Sequence, residues 1–269
     1  MTLDNLLPGP GQLLDHLLFD PKCVVEVGGI YRLDFNEALV LTADHWRNEA
    51  GGIPQFCFLL ATARQVHQPG GATDDDEALL LRVDGTAELA QEKEILGVRE
   101  EALRDALVKG RAPEVEEILR LDPYTRNRIS FTGLRCTILG TFYEEVVDGN
   151  VRLAWGSDID NFYASSTYRV YKPYGDVLSL IASYIRPTTR DPMQVRIGHV
   201  RYSSTTRRST MAGHEDAAVK INVKDFIGQK TGMFGMTRMG KSNSMKTIAT
   251  QVFIAAQKSG EQIGQLIFD

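Results

Sequence analysis

Eight residues near the carboxyl end constrain this chain more than any others. Residues 235–242 read Gly-Met-Thr-Arg-Met-Gly-Lys-Ser and fit G-x-x-x-x-G-K-[ST], the Walker A phosphate loop. Four specified positions arise by chance in roughly one chain of this length in a hundred, so the flanking sequence has to decide. A phosphate loop follows a strand and opens a helix. Residues 230–234 (KTGMF) can supply the strand end, and SNSMKTIATQVFIAAQK has the length and pattern of the helix.

Each position has a chemical reason. Gly235 and Gly240 let the chain turn where a Cβ would crowd phosphate oxygens. Backbone N–H groups from about Met236 to Ser242 make an anion nest, reinforced by the positive end of the following helix dipole. Lys241 places a point charge on the β- and γ-phosphates, and the Ser242 hydroxyl binds the Mg²⁺ that bridges them. The candidate nucleotide-binding residues are therefore Gly235, Met236, Thr237, Arg238, Met239, Gly240, Lys241, Ser242 and Asn243. The implied cofactors are ATP and Mg²⁺. The side chains of Met236, Arg238 and Met239 point away from the phosphates in most such loops, which leaves Arg238 able to reach a neighbouring subunit.

The chain closes on GEQIGQLIFD. QLIF is a buried-strand candidate, and Asp269 stands at its carboxyl end, 28 residues after Lys241. One helix and one strand fill that gap. Asp269 is therefore expected on the strand next in sequence rather than at the Walker B position, which in RecA-type cores follows a further βα unit. The 269 residues are expected to stop inside a nucleotide domain, before its metal-ligating acid, its water-activating glutamate and any arginine finger. By themselves they are expected not to hydrolyse ATP.

The rest of the chain reads as a different kind of domain. From Cys23 onward, CVVEVGGIYRL, EALVLT, IPQFCFLLATA and ALLLRV are short, β-branched or apolar runs punctuated by turn residues. ISFTGLRCTILGTFYEE and VRLAWG flank a turn at Asp148-Gly149-Asn150 and read as a hairpin. Between them, about residues 86–121, Leu89, Leu96, Leu103 and Leu107 fall on one helical face, and Pro113 opens a second helix. This insertion is either a cap over a barrel end or a partner surface, with Glu92, Lys93, Arg99, Glu100, Glu101 and Arg104 on its charged side. DVLSLIASYI reads as a helix, QVRIGHVRYSS as an alternating strand and TTRRSTMAGHED as irregular linker. Tyr163, Tyr168, Tyr171 and Tyr174 can stack bases, although strand and loop packing suits their spacing better. The expected organisation is an arm at 1–22, a β-barrel domain at 23–210 with the helical insertion, and the start of an α/β RecA-like domain at 217–269.

Charge and cysteine content narrow the function classes. Lys plus Arg number 30 against 35 Asp plus Glu, which excludes a uniformly basic nucleic-acid binder but not a basic lining. Six arginines (186, 190, 196, 201, 207 and 208) stand against one acid, Asp191, between residues 186 and 208. That stretch can line a DNA channel, contact a partner, or be a solvated face. Cys23, Cys57 and Cys136 form no CxxC pair and support neither a zinc site nor a disulfide framework. No signal peptide or membrane-length apolar run is evident, so a cytoplasmic protein without membrane contact is expected.

The β-rich leader, the strand around Ile197-Gly198, the segment VKINVKDFIGQKTGMFGMTRMGKSNSMK and the final strand ending in Asp269 together resemble the HerA-type ATPases. These belong to the HerA–FtsK branch of the RecA-like class. The match is specific over residues 219–269 and one of texture and order elsewhere. Arg238 stands where many members carry Gly. The resemblance implies that the N-terminal module is a HAS-barrel-like β-barrel, and that Asp269 begins the family's D-x-x-G-E-Y motif and joins Lys241 among the catalytic candidates. It further implies a homo-hexamer that hydrolyses ATP, threads double-stranded DNA, and carries a nuclease or other anti-phage effector on the barrel face. A nucleotide-binding scaffold with little motor activity is the alternative. An unrelated P-loop kinase or GTPase fits the long β-rich leader poorly.

Overall fold

The computed structural model describes residues 12–64, 66, 77–89, 101, 104, 108, 130–161, 163–183, 193–203, 207–226, 230–234, 236, 240–260 and 262–265. The chain divides into two compact units, one of Met1–Pro173 with Tyr202–Gly213, the other of Tyr174–Arg201 with His214–Asp269.

In the first unit, the apolar runs become strands β1 (Val24–Leu33), β2 (Glu37–Ala43), β3 (Phe58–Thr62), β4 (Glu77–Ala87), β5 (Phe131–Val147), β6 (Asn150–Gly156) and β7 (Arg169–Pro173). Each is antiparallel to its neighbours, in the order β2-β1-β7-β3-β4-β5-β6, and β2 also pairs with β5. That last pairing closes six strands into a barrel and leaves β6 as an extension of β5. Closure removes the sheet edges that an open sheet would expose. Every second side chain of the strands faces inward, and Val27, Ile30, Val40, Leu59, Leu81, Val83, Leu134, Cys136 and Val170 fill the interior.

Two glycines make the closure possible. Gly28 (φ 145°) sits where the β1–β7 register shifts, and a Cβ there would lie 1.9 Å from the Leu41 carbonyl oxygen on β2. Gly140 (φ 150°) sits where β5 leaves β2 behind and takes up β6, and its Cβ would lie 2.1 Å from the Gly156 oxygen. Only glycine fits either approach.

Helix α1 (Gln12–Leu18), within the arm expected at 1–22, docks on this barrel. Leu14, Leu18 and Phe19 are fully buried. Arg64 holds Asp15 at 3.1 Å, the Leu14 N–H donates to Glu144 Oε1 at 2.8 Å, and Phe19 meets Tyr171 edge-on at 5.3 Å. Helix α2 (Asp44–Glu49) follows β2. Of the predicted insertion, Glu101, Arg104 and Val108 are described. They are helical and exposed, at the i, i+3, i+7 spacing of one outer face. Leu89 lies just past β4 in irregular backbone, and Leu96, Leu103, Leu107 and Pro113 lie outside the described residues.

In the second unit, α3 (Gly175–Ser183) realises the DVLSLIAS helix, and β8 (Gln194–His199) pairs antiparallel with β9 (Ala218–Asn222). The stretch 174–201, assigned on sequence to the β-barrel region, groups here because β8 finds its partner in β9. The expected irregular linker at 205–216 contains a five-residue helix, α4 (Arg207–Met211), which belongs to the first unit. Helix α5 (Lys241–Ser259) lays Ile248, Val252 and Ala255 against Met193, Val195, Ile221 and Val223. Among the described residues, no helix is long and apolar enough to cross a membrane.

Candidate nucleotide-binding site

The end of the G-x-x-x-x-G-K-S motif has a defined geometry from Gly240 onward. Gly240 adopts φ 83°, ψ 9°, the left-handed conformation that glycine accepts without strain, and delivers the chain directly into α5 at Lys241. The Ser244 N–H closes the first helical turn on the Gly240 carbonyl at 2.9 Å. The earlier N–H groups of a helix have no acceptor within it, and no side chain caps this terminus. Lys241, Ser242 and Asn243 are all exposed there, and nothing stands within 4 Å of where a Gly240 Cβ would be. The arrangement offers unspent donors, a cationic side chain and a hydroxyl around open space.

The helix that carries them is firmly built. Its inner face packs on the β8–β9 pair, and Gly260 (φ 74°) ends it with an N–H bond to the Ala256 carbonyl. Lys241 and Ser242 are thus mounted on the first turn of a 19-residue helix. Such a terminus fits a phosphate group, and the Ser242 hydroxyl fits a divalent cation that takes its other oxygens from phosphate and water.

The approach to the loop differs from the sequence expectation. Residues 230–234 are irregular rather than strand, and Phe234 is 95% and Met236 75% exposed. A strand exists by pairing. Among the described residues, β8 and β9 pair only with each other, antiparallel, so no parallel neighbour is present for 230–234. Gly235, Thr237, Arg238, Met239 and Asp269 lie outside the described residues, as does most of the QLIF strand candidate. Gln265 is described; it is irregular and its Nε2 donates to the Ala249 carbonyl at 3.0 Å. No cluster of three or more potential metal ligands of the His, Cys, Asp or Glu type occurs among the described residues.

The other sequence candidates separate. Tyr168 is 4% and Tyr174 5% exposed, and Tyr171 is half-buried against Phe19. Tyr174 stacks on His214 at 3.7 Å. Tyr168, Tyr171 and Tyr174 are thus packed side chains, whereas Tyr163 stays 40% exposed, with its N–H donating to the Tyr168 hydroxyl at 3.1 Å. The arginine-rich stretch does not act as one strand face either. Arg196 on β8, hydrogen-bonded to the His199 ring, and Arg201 belong to the second unit, whereas Arg207 and Arg208 on α4 belong to the first.

Sequence reasoning missed Lys172. It lies on β7 between the half-buried Tyr171 and the buried Pro173, only 4% exposed, and its Nζ donates to the Ala50 carbonyl at 3.0 Å and the Gly52 carbonyl at 2.6 Å. Desolvation pushes its pKa down to about 8, partly opposed by Cys57. The signal was present in the alternation: position 172 shares the inward face with Val170. No protein-family model and no curated protein matches the chain in sequence.

Proposed function

We propose that this chain binds ATP with Mg²⁺ at the phosphate loop and is part of a DNA-translocating ATPase of the HerA type. The observation that carries the nucleotide reading is Gly240 in the left-handed conformation, handing an uncapped helix terminus to Lys241 and Ser242. Together with G-x-x-x-x-G-K-S, that terminus supplies the donors a triphosphate needs. Lys241 binds the β- and γ-phosphates as a charge on a flexible stem. Ser242 orients the cation through its hydroxyl, and Mg²⁺ when bound neutralises charge on the bridged phosphate oxygens. The N–H groups at the start of α5 fix the phosphates against the helix.

The translocase reading rests on the resemblance, and the closed six-stranded antiparallel barrel ahead of the loop is the kind of module that resemblance implies. On that reading the protein is a homo-hexamer on double-stranded DNA, and a nuclease or other effector sits on the barrel face.

The test is ATP turnover by the full protein with and without double-stranded DNA, beside Lys241→Ala. We expect DNA-stimulated hydrolysis that the variant loses by at least about a hundredfold, the scale of removing one preorganised charge from a transition state. Wild-type turnover in Lys241→Ala would refute the phosphate loop. Nucleotide binding with neither hydrolysis nor DNA stimulation would move the protein to the scaffold class.

A further inference from the structure

We propose that the first unit carries a second anion site, a pocket for a phosphate ester of nucleotide size, whose donors are Arg207, Arg208 and Asn48. The cavity between the α2 turn and α4 measures about 430 Å³, and every residue lining it belongs to the first unit. That volume lies within the range of small-ligand pockets.

The charge around this cavity is one-sided. Its floor is the backbone at Gly51 and Gly52, where a turn would normally present carbonyl oxygens. Several of the turn's oxygens are already engaged. Lys172 Nζ takes the Ala50 and Gly52 carbonyls, the Gly51 N–H takes that of Asn48, and the Gly52 N–H takes that of Arg47. The Gly52 carbonyl of the floor is thus held by a buried ammonium.

Among the described residues, no carboxylate lines the cavity. The acids of α2 are engaged within their own helix, Asp44 with Arg47 at 3.5 Å and Glu49 with His45 at 3.8 Å. Among the described residues, neither Arg207 nor Arg208 forms an ion pair, so two planar guanidinium groups with unspent donors share one wall. Guanidinium pairs match phosphate oxygens in geometry as well as charge. Met211, 74% exposed, and Ala212 complete the lining with apolar surface, which suits the flat, less polar part of a nucleotide. The ligand can be a free nucleotide or one nucleotide unit of a nucleic-acid strand.

Calorimetric titration of the full protein distinguishes these sources and tests the pocket. The protein carries Lys241→Ala, so that the phosphate loop contributes little, and the probes are AMP and a 5′-phosphorylated twelve-residue single-stranded oligodeoxynucleotide. We expect at least one probe to bind, and which one binds names the source. Binding should weaken at least about tenfold in Arg207→Glu/Arg208→Glu, given the strength of charge-assisted hydrogen bonds. It should weaken as much in Ala212→Trp, which fills the cavity without changing charge. Both variants should keep the parent Tm. No binding of either probe, or binding unchanged in both variants, overturns the proposal. Binding lost on charge reversal but kept in Ala212→Trp also overturns it, because attraction would then come from the open surface. None of these outcomes depends on whether Lys241 serves ATP.

Discussion

Lys172→Met separates the cost of a buried charge from the value of its hydrogen bonds. The native ammonium is 4% exposed and bonded to two carbonyls, with its pKa lowered by burial from 10.5 to about 8. A lysine whose folded pKa is lowered binds fewer protons in the native state than in the unfolded chain between these two values. Its contribution to stability is therefore greatest above pH 10.5 and is lost as pH falls through 8. The full difference is about 3 kcal/mol, and about 1.3 kcal/mol of it appears between pH 7 and pH 9.

Methionine keeps most of the stem and removes the charge, but strands two acceptors at about 1–3 kcal/mol each. At pH 7 these effects oppose, so the variant should lie within about 3 kcal/mol of wild type. The decisive quantity is the pH dependence. Urea unfolding followed through Trp46 and Trp155, both in the barrel unit, should show the wild-type advantage growing by about 1.3 kcal/mol from pH 7 to 9 relative to Lys172→Met. Cys57 and Cys136 are both pushed up to about 12 mainly by burial, so up to pH 9 both folded thiols stay protonated in either protein and their effect cancels. Above pH 9 it does not, because Cys57 loses the neighbouring Lys172 charge in the variant. Parallel stability curves across pH 7–9 would refute a buried, charged Lys172.

Three further substitutions test other features. Gly28→Ala forces a Cβ to 1.9 Å from the Leu41 carbonyl and should cost at least about 3 kcal/mol. Gly149→Ala, at φ 77° in the open β5–β6 turn with nothing within 4 Å, should cost only about 1–2 kcal/mol, and the two denaturation midpoints give the comparison. Arg104→Glu on the exposed insertion helix should leave stability within about 0.5 kcal/mol. If that helix is the effector contact, co-purification with the effector should fall while Tm holds.

The parts of this fold legible in sequence are those written by local alternation. EALVLT and the 131–156 hairpin showed themselves by alternation and turn residues, and ALLLRV by a continuous apolar run that the fold buries on both faces. What alternation does not write is partnership. The β2–β5 pairing that closes the barrel joins residues nearly a hundred positions apart, and β8 looks like a barrel strand until β9 claims it. The same limit explains the candidate site. Gly240, Lys241 and the helix after them are local and appear where the motif puts them, whereas the strand before them needs a neighbour that spacing cannot supply. Lys172 and the α2–α4 pocket were missed for a third reason: alternation puts position 172 on the inward face, but a charged residue there reads as outward until the carbonyls beneath it are known.

β5 has partners on both sides along its length, β2 and β4 first and then β4 and β6. It is therefore the strand on which the barrel's pairings converge. The barrel closes through β2–β5, and β4 reaches β5 only across a connection that spans residues 88–130. Closing so long a loop costs about 2 kcal/mol more than a tight hairpin turn would, since each doubling of length adds about 0.6 kcal/mol. The penalty grows only logarithmically. Once the insertion exists, lengthening or replacing it changes little. This connection is where the barrel can accept new sequence, and with it new partners, while the paired strands on either side stay fixed.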